Sequence, residues 1–230
     1  GMSNFTDFIG GGGGSLPVNI ALTESQTWVP PADGNICIHV IGAGGGGMGA
    51  DGGGGGGGGG YCKKTTLAVT TSGSFTVVVG VGGVGSKSGN TASNGGNSTV
   101  AGTGLSATLT ANGGTGPATN ANGQGGTASN GDVNDAMGDP ALMGYGYIVG
   151  GKGGKTFSGE YSNIGTSVGM NGEFLAGGGA IHAGSTNVNS YAGDGGVGGG
   201  GGMNYKTSNT HRAYGGTGGD GIVIIQYLPA

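Results

Sequence analysis

Ile36-Cys37-Ile38-His39-Val40-Ile41 runs directly into Gly42-Ala43-Gly44-Gly45-Gly46-Gly47. In the first half, Ile36, Ile38 and Val40 share one face, an alternation that marks a half-buried β-strand. The second half has almost no side chains with which to continue the pattern. Sixty-seven of the 230 residues are glycine, gathered into blocks such as Gly44–Gly47, Gly52–Gly60 and Gly198–Gly202. Glycine loses more backbone freedom on folding than any other residue, roughly 0.5–1 kcal/mol beyond alanine. Ordering so many costs tens of kcal/mol on that scale. Such a chain either stays disordered or offsets the cost with a cooperative backbone lattice. Disordered chains are rich in charge and poor in apolar residues. Here only 8% of residues are charged and 33% are hydrophobic, the latter in short β-branched runs. The composition therefore predicts order.

Working outward, Val18–Leu22 and Gln26–Val29 read as short strands, with Pro30-Pro31 ending the second and Gly34-Asn35 marking a turn. Thr65–Thr70, Phe75–Val81, Asn97–Ala101 and Leu105–Thr110 are further strand candidates. Ile222-Val223-Ile224-Ile225-Gln226-Tyr227 is a continuous apolar run, which predicts an interior strand. No stretch has helical periodicity. Between about Gly113 and Gly221 glycines recur in pairs and singles. A polyproline-II path makes no hydrogen bonds within itself, so its amides must pair sideways. Without Cβ atoms, neighbouring segments can approach closely enough to do so. The expected fold is all-β: a small β-sandwich from the N-terminal strands plus the C-terminal strand, carrying a polyglycine-II-like region. The expected division is residues 2–27 as an attachment segment with the first strand, 28–112 plus 222–228 as the sandwich, and 113–221 as the glycine-rich region.

Charge and motifs narrow the chemistry. The net charge is −4 and Arg212 is the only arginine, which disfavours nucleic acid as a partner. No apolar run approaches membrane-span length, so no membrane insertion is expected. Residues Met2–Gly14 show neither the basic n-region nor the apolar core of a signal peptide. Cys37 and Cys62 do not make a disulfide framework; reduced thiols are expected, with a single clip as the alternative. Gly-x-Gly-x-x-Gly occurs repeatedly, but at this glycine abundance it carries no weight as a dinucleotide signature. Gly154-Lys155-Thr156 lacks the glycine a phosphate loop needs five residues earlier, where Val149 stands. Gly215–Val223 fits one calcium β-roll nonapeptide, yet such repeats bind only in tandem, and a turn entering the last strand is the plainer reading. Cys37, His39 and Cys62 lack paired ligand spacing, which favours small buried strand residues over a metal site. His182 and His211 have no nucleophile at recognisable spacing. No cofactor, metal or enzymatic activity is expected.

Several stretches together carry a resemblance. They are Trp28-Val29-Pro30, Ile36–Gly47, Thr65–Val69, Phe75–Gly80, Asn97–Val100, Leu109–Gly114 and the ending Gly218-Gly219-Asp220-Gly221-Ile222-Val223-Ile224-Ile225. In this order they resemble the glycine-rich domain of bacteriophage tail fibre and tail tip proteins. The middle is similar to polyglycine-sandwich tip adhesins of T-even-like phages, whose connecting loops bind host receptors. This resemblance implies a virion protein that recognises a bacterial surface glycan or outer-membrane protein, contacts other tail proteins and assembles as a homotrimer. A structural fibre spacer without receptor contact, or an ice-binding protein built from polyglycine helices, are the alternative readings.

Polar-aromatic segments lie between the glycine blocks, and their Tyr, Ser, Asn and Gly content is the mix that antibody loops use for adaptable recognition. The candidate receptor-binding residues are Tyr161, Asn163, Asn189, Tyr191, Tyr205, Lys206, His211, Arg212 and Tyr214. The competing reading is that these tyrosines cap and plug the lattice. Phe5-Thr6-Asp7-Phe8-Ile9, followed by five glycines, reads as an apolar anchor on a tether, with Phe5, Phe8 and Ile9 making the contact.

Overall fold

The computed structural model describes residues 19–49, 54–87, 91–118, 121–135, 142–144, 147–149, 151, 171–178, 181–182, 189–205 and 213–229. In chain order the strands are β1 (Asn19–Leu22), β2 (Gln26–Trp28), β3 (Gly34–Ile41), β4 (Tyr61–Val69), β5 (Phe75–Val78), β6 (Ser98–Gly102), β7 (Leu109–Ala111), β8 (Ala128–Ser129) and β9 (Val133–Asp135). Short pieces follow: β10 (Leu142–Gly144), β11 (Tyr147–Val149), β12 (Ile181–His182), β13 (Ser190–Tyr191), β14 (Asn204–Tyr205) and β15 (Ala213–Tyr214). The last strand is β16 (Ile222–Tyr227). There is no helix among the described residues.

Two five-stranded sheets, ordered β1-β16-β3-β4-β9 and β2-β5-β6-β7-β8, form a sandwich. One apolar core fills it: Ile36, Ile38, Val40, Val223 and Ile225 from the first sheet meet Phe75, Val77, Val100 and Leu109 from the second. Trp28 and Phe75 pack ring against ring at 5.5 Å and 47°, the tilted arrangement that aromatic quadrupoles favour. The continuous apolar run of β16 is explained by its place between β1 and β3, antiparallel to both.

β3 does not stop at Ile41 so much as change partners. Gly42, Gly45 and Met48 donate N–H bonds to Gly60, Gly57 and Gly54. Ala43 and Gly46 donate to Gly96 and Ser93, and Gly44 and Gly47 to Gly219 and Gly216. Its carbonyls follow the same rule. Ala43 accepts from Gly114, Gly44 and Gly47 accept from Gly83 and Ser86, and Gly45 and Met48 accept from Gly201 and Asn204. Every third residue thus bonds to the same neighbour, which is the repeat of a three-residue-per-turn polyproline-II path. Residues 42–49 form a hub with six surrounding segments. The pattern repeats at the rim, where Gly215, Gly218 and Gly221 donate to Ser86, Gly83 and Gly80. At outer positions side chains take over as acceptors: Asp220 Oδ1 from Gly82 N at 2.8 Å, and Asp194 Oδ1 from Thr217 N at 2.7 Å.

Close approach, not unusual dihedrals, is why these positions are glycine. Among the described glycines only Gly104 and Gly198 have positive φ. A Cβ added at Gly44 would run into the Gly199 carbonyl, and one at Gly45 into the Thr115 carbonyl.

Several expectations need correcting. Gly215–Gly221 is a lattice segment, not a turn before the last strand. β4 begins at Tyr61 rather than Thr65, and a register shift between Ile36 and Ile38 reverses its alternation. Cys62 and Leu67 therefore both face the core despite their odd spacing. β5 ends at Val78, because the chain beyond it joins the lattice. β7 starts only at Leu109, because Gly104, at φ 83°, sits in a turn closed by a bond from Leu105 N to Gly102 O. Lattice segments also come from both sides of Gly113, including 42–49, 54–60 and 80–86.

Candidate functional site

The hub carries the chain away from the sandwich by about 3.1 Å per residue in a polyproline-II path. Its far end, near Met48 and Gly49, lies roughly 20 Å from the sheet on that rise. Four further chain pieces meet it there. Gly49 forms a parallel bridge with Asn204, and Lys87 an antiparallel bridge with Tyr214. β13 pairs in parallel with β15, setting Ser190 opposite Ala213 and Tyr191 opposite Tyr214.

Asn204, fully buried, holds this end together. Its Nδ2 donates to the Ser190 carbonyl at 2.7 Å, to Ser190 Oγ at 3.0 Å and to the Tyr214 carbonyl at 3.2 Å. Its own N–H donates to the Met48 carbonyl at 3.0 Å, tying the cluster to the hub. A buried amide makes so many bonds because each unpaired polar group would cost about 1–3 kcal/mol. On this base the Tyr191 and Tyr214 rings stack, with centroids 4.8 Å apart and planes 9° from parallel. Tyr191 is 47% exposed and Tyr214 is half-buried, so the stack is partly open to solvent.

Of the residues singled out from sequence, the fold brings Asn189, Tyr191 and Tyr214 to this end of the lattice. Asn189 is exposed beside β13. The Tyr205 backbone lies in β14, opposite His182 of β12. Tyr161, Asn163, Lys206, His211 and Arg212 lie outside the described residues, as do Phe5, Phe8 and Ile9. Sequence reasoning included Ser190 and Asn204 in the polar-aromatic segments His182–Tyr191 and Met203–Tyr214 without singling them out, and passed over Lys87. A polar residue that interrupts an otherwise glycine-built segment is the signal that could have found Asn204.

The other candidate chemistry is placed as follows. Cys37 and His39 face outward from the first sheet while Cys62 faces the core, so the sheet itself separates them. Both cysteines are free and buried, and burial pushes both thiols above their ordinary pKa. His39 Nδ1 lies 2.7 Å from Tyr61 Oη and Nε2 3.5 Å from Cys37 Sγ. Burial, opposed in part by a Gln226 hydrogen bond, holds the imidazole below its usual pKa. No three or more His, Cys, Asp or Glu residues gather among the described residues.

A family model described as a glycine-rich domain matches residues 20–228. No curated protein sequence matches the chain.

Proposed function

The chain belongs to the glycine-rich domain family, and from that premise we propose that it recognises a bacterial surface receptor as part of a bacteriophage tail fibre or tail tip. In this reading it is a virion adhesin, assembled as a homotrimer with other tail proteins, and not an enzyme. Family membership alone supports only a glycine-rich, β-rich module. The phage-specific part rests on the sequence resemblance. The observation that carries receptor binding is the Tyr191–Tyr214 stack, held by a buried amide at the end of a hydrogen-bonded lattice. Recognition favours exposed aromatic surface on a rigid base, because little entropy is then lost on contact.

The test uses the full purified chain, fluorescently labelled, on a panel of bacterial strains. Binding to at least one strain is expected. Replacing both Tyr191 and Tyr214 by Ala should weaken it at least about tenfold, the effect of removing a central aromatic contact. An unchanged melting temperature would show that the variant still folds. Retained binding by a folded double variant would refute the assignment of this site, and no binding to any strain would favour the spacer reading.

A further inference from the structure

A concavity lies on the outer face of the first sheet, on the sandwich and away from the tyrosine stack. Its volume is about 590 Å³. The floor is built by register: Asn19 pairs with Gln226, Ala21 with Ile224, and Ile224 with His39. These residues, with Ile41, line the floor, and Phe174 forms a wall.

Two features mark this groove as a built site. First, Phe174 is presented by a turn that a chain rich in glycine could have made more cheaply. Ala176 N donates to the Glu173 carbonyl at 2.9 Å, and Leu175 sits in the left-handed region at φ 59°. A non-glycine residue there costs about 1–2 kcal/mol. Leu175 is held by complete burial against Ile41, Tyr61 and Ile222. The buried Leu175 anchors the turn that carries Phe174, 38% exposed, at the groove, and local strain of this kind concentrates at binding sites. Second, none of the described residues that line it carries a charge. Asn19 and Gln226 supply neutral amides, and burial holds the His39 ring below its ordinary pKa, which favours its neutral form.

We infer that this groove binds a neutral sugar ring. A pyranose has apolar C–H faces that rest on an aromatic wall, and hydroxyls that need both donors and acceptors. The planar amides of Asn19 and Gln226 supply both, while the His39 ring, bonded to Tyr61 and Cys37, only packs at the floor, and Phe174, Ile41 and Ile224 supply the apolar contact. Sites of this composition, mostly apolar with a few convergent polar groups, suit small ligands. Among the described lining residues there is no cation to offset the desolvation of an anionic sugar. This inference is independent of the tyrosine stack and of any phage role.

The test is titration of the isotope-labelled full chain with the methyl glycosides of glucose, galactose and N-acetylglucosamine, following backbone amide shifts. A methyl glucuronide serves as the charged comparison. At least one neutral glycoside should shift the amides of Ala21, His39 and Gln226. Phe174→Ala should weaken that response about tenfold, and Asn19→Ala should weaken it as well. Tyr191→Ala should leave it unchanged, which separates this site from the receptor proposal. The inference is overturned if no neutral glycoside shifts these amides. Shifts confined to the tyrosine end would overturn it too, as would equal or tighter binding of the glucuronide.

Discussion

His39 shows how one side chain is set by its surroundings. It projects from β3 to the outer face, where Tyr61, Cys37, Gln226 and Lys63 are its polar neighbours. Burial disfavours its charged form most, and the Lys63 charge adds to that. The unfolded chain, with an ordinary histidine pKa of 6.5, therefore binds a proton more tightly than the folded one. Well above pH 6.5 both states are neutral and the full stability is present. As the pH falls below 6.5 the unfolded state gains protons first, so stability declines until the folded-state pKa is passed. Urea midpoints measured on either side of pH 6.5 should show this decline, and His39→Gln should flatten it. An unchanged slope in the variant would show that His39 does not carry the effect.

Among the elements, the hub 42–49 is the most demanding of its sequence. It is bonded to six segments at 2.8–3.1 Å, and at each of its glycines an added Cβ would meet neighbouring backbone. Gly45→Ala would drive a methyl group into the Thr115 carbonyl, backbone that cannot rotate away. A loss of about 3 kcal/mol or more is expected, at or beyond the upper range for overpacking. Gly73→Ala is the control, since Gly73 lies in the turn between β4 and β5, where its N–H bonds Thr70 O. That change should cost much less than Gly45→Ala, because its added Cβ would come no closer than 3.1 Å to the Thr70 carbonyl oxygen. Thermal melts of the two variants decide the point. Equal shifts would mean that close approach at the hub is not what glycine provides.

At the scale of the whole molecule, lattice and sandwich share their chain. β3 runs into the hub, and segment 215–221 runs into β16. The two parts should therefore unfold together. Trp28, buried beside Phe75, reports on the sandwich by fluorescence, while near-ultraviolet dichroism of the stacked tyrosines reports on the lattice end. Coincident denaturant transitions are expected. Separated midpoints would show two independently stable units. Most lattice bonds join residues far apart in sequence, as Gly44 to Gly219 does, so folding should be slow for a chain of this length.

Strands with alternating or continuous apolar residues were legible from the sequence: β1, β2, β3, β6 and β16 fall where their side chains predict, within a residue or two at their ends. So was the need for sideways pairing of glycine segments, because unpaired buried amides are too costly to tolerate. The start of β4 was not legible, since the register shift that reverses its alternation depends on how it meets β3. Nor was the order of neighbours around residues 42–49, or the meeting of Tyr191 with Tyr214 above Asn204. Glycine segments carry no side chains to distinguish one partner from another. Their register is fixed from outside the lattice, by the strands they continue and by the Asp, Asn and Ser side chains that cap the rim.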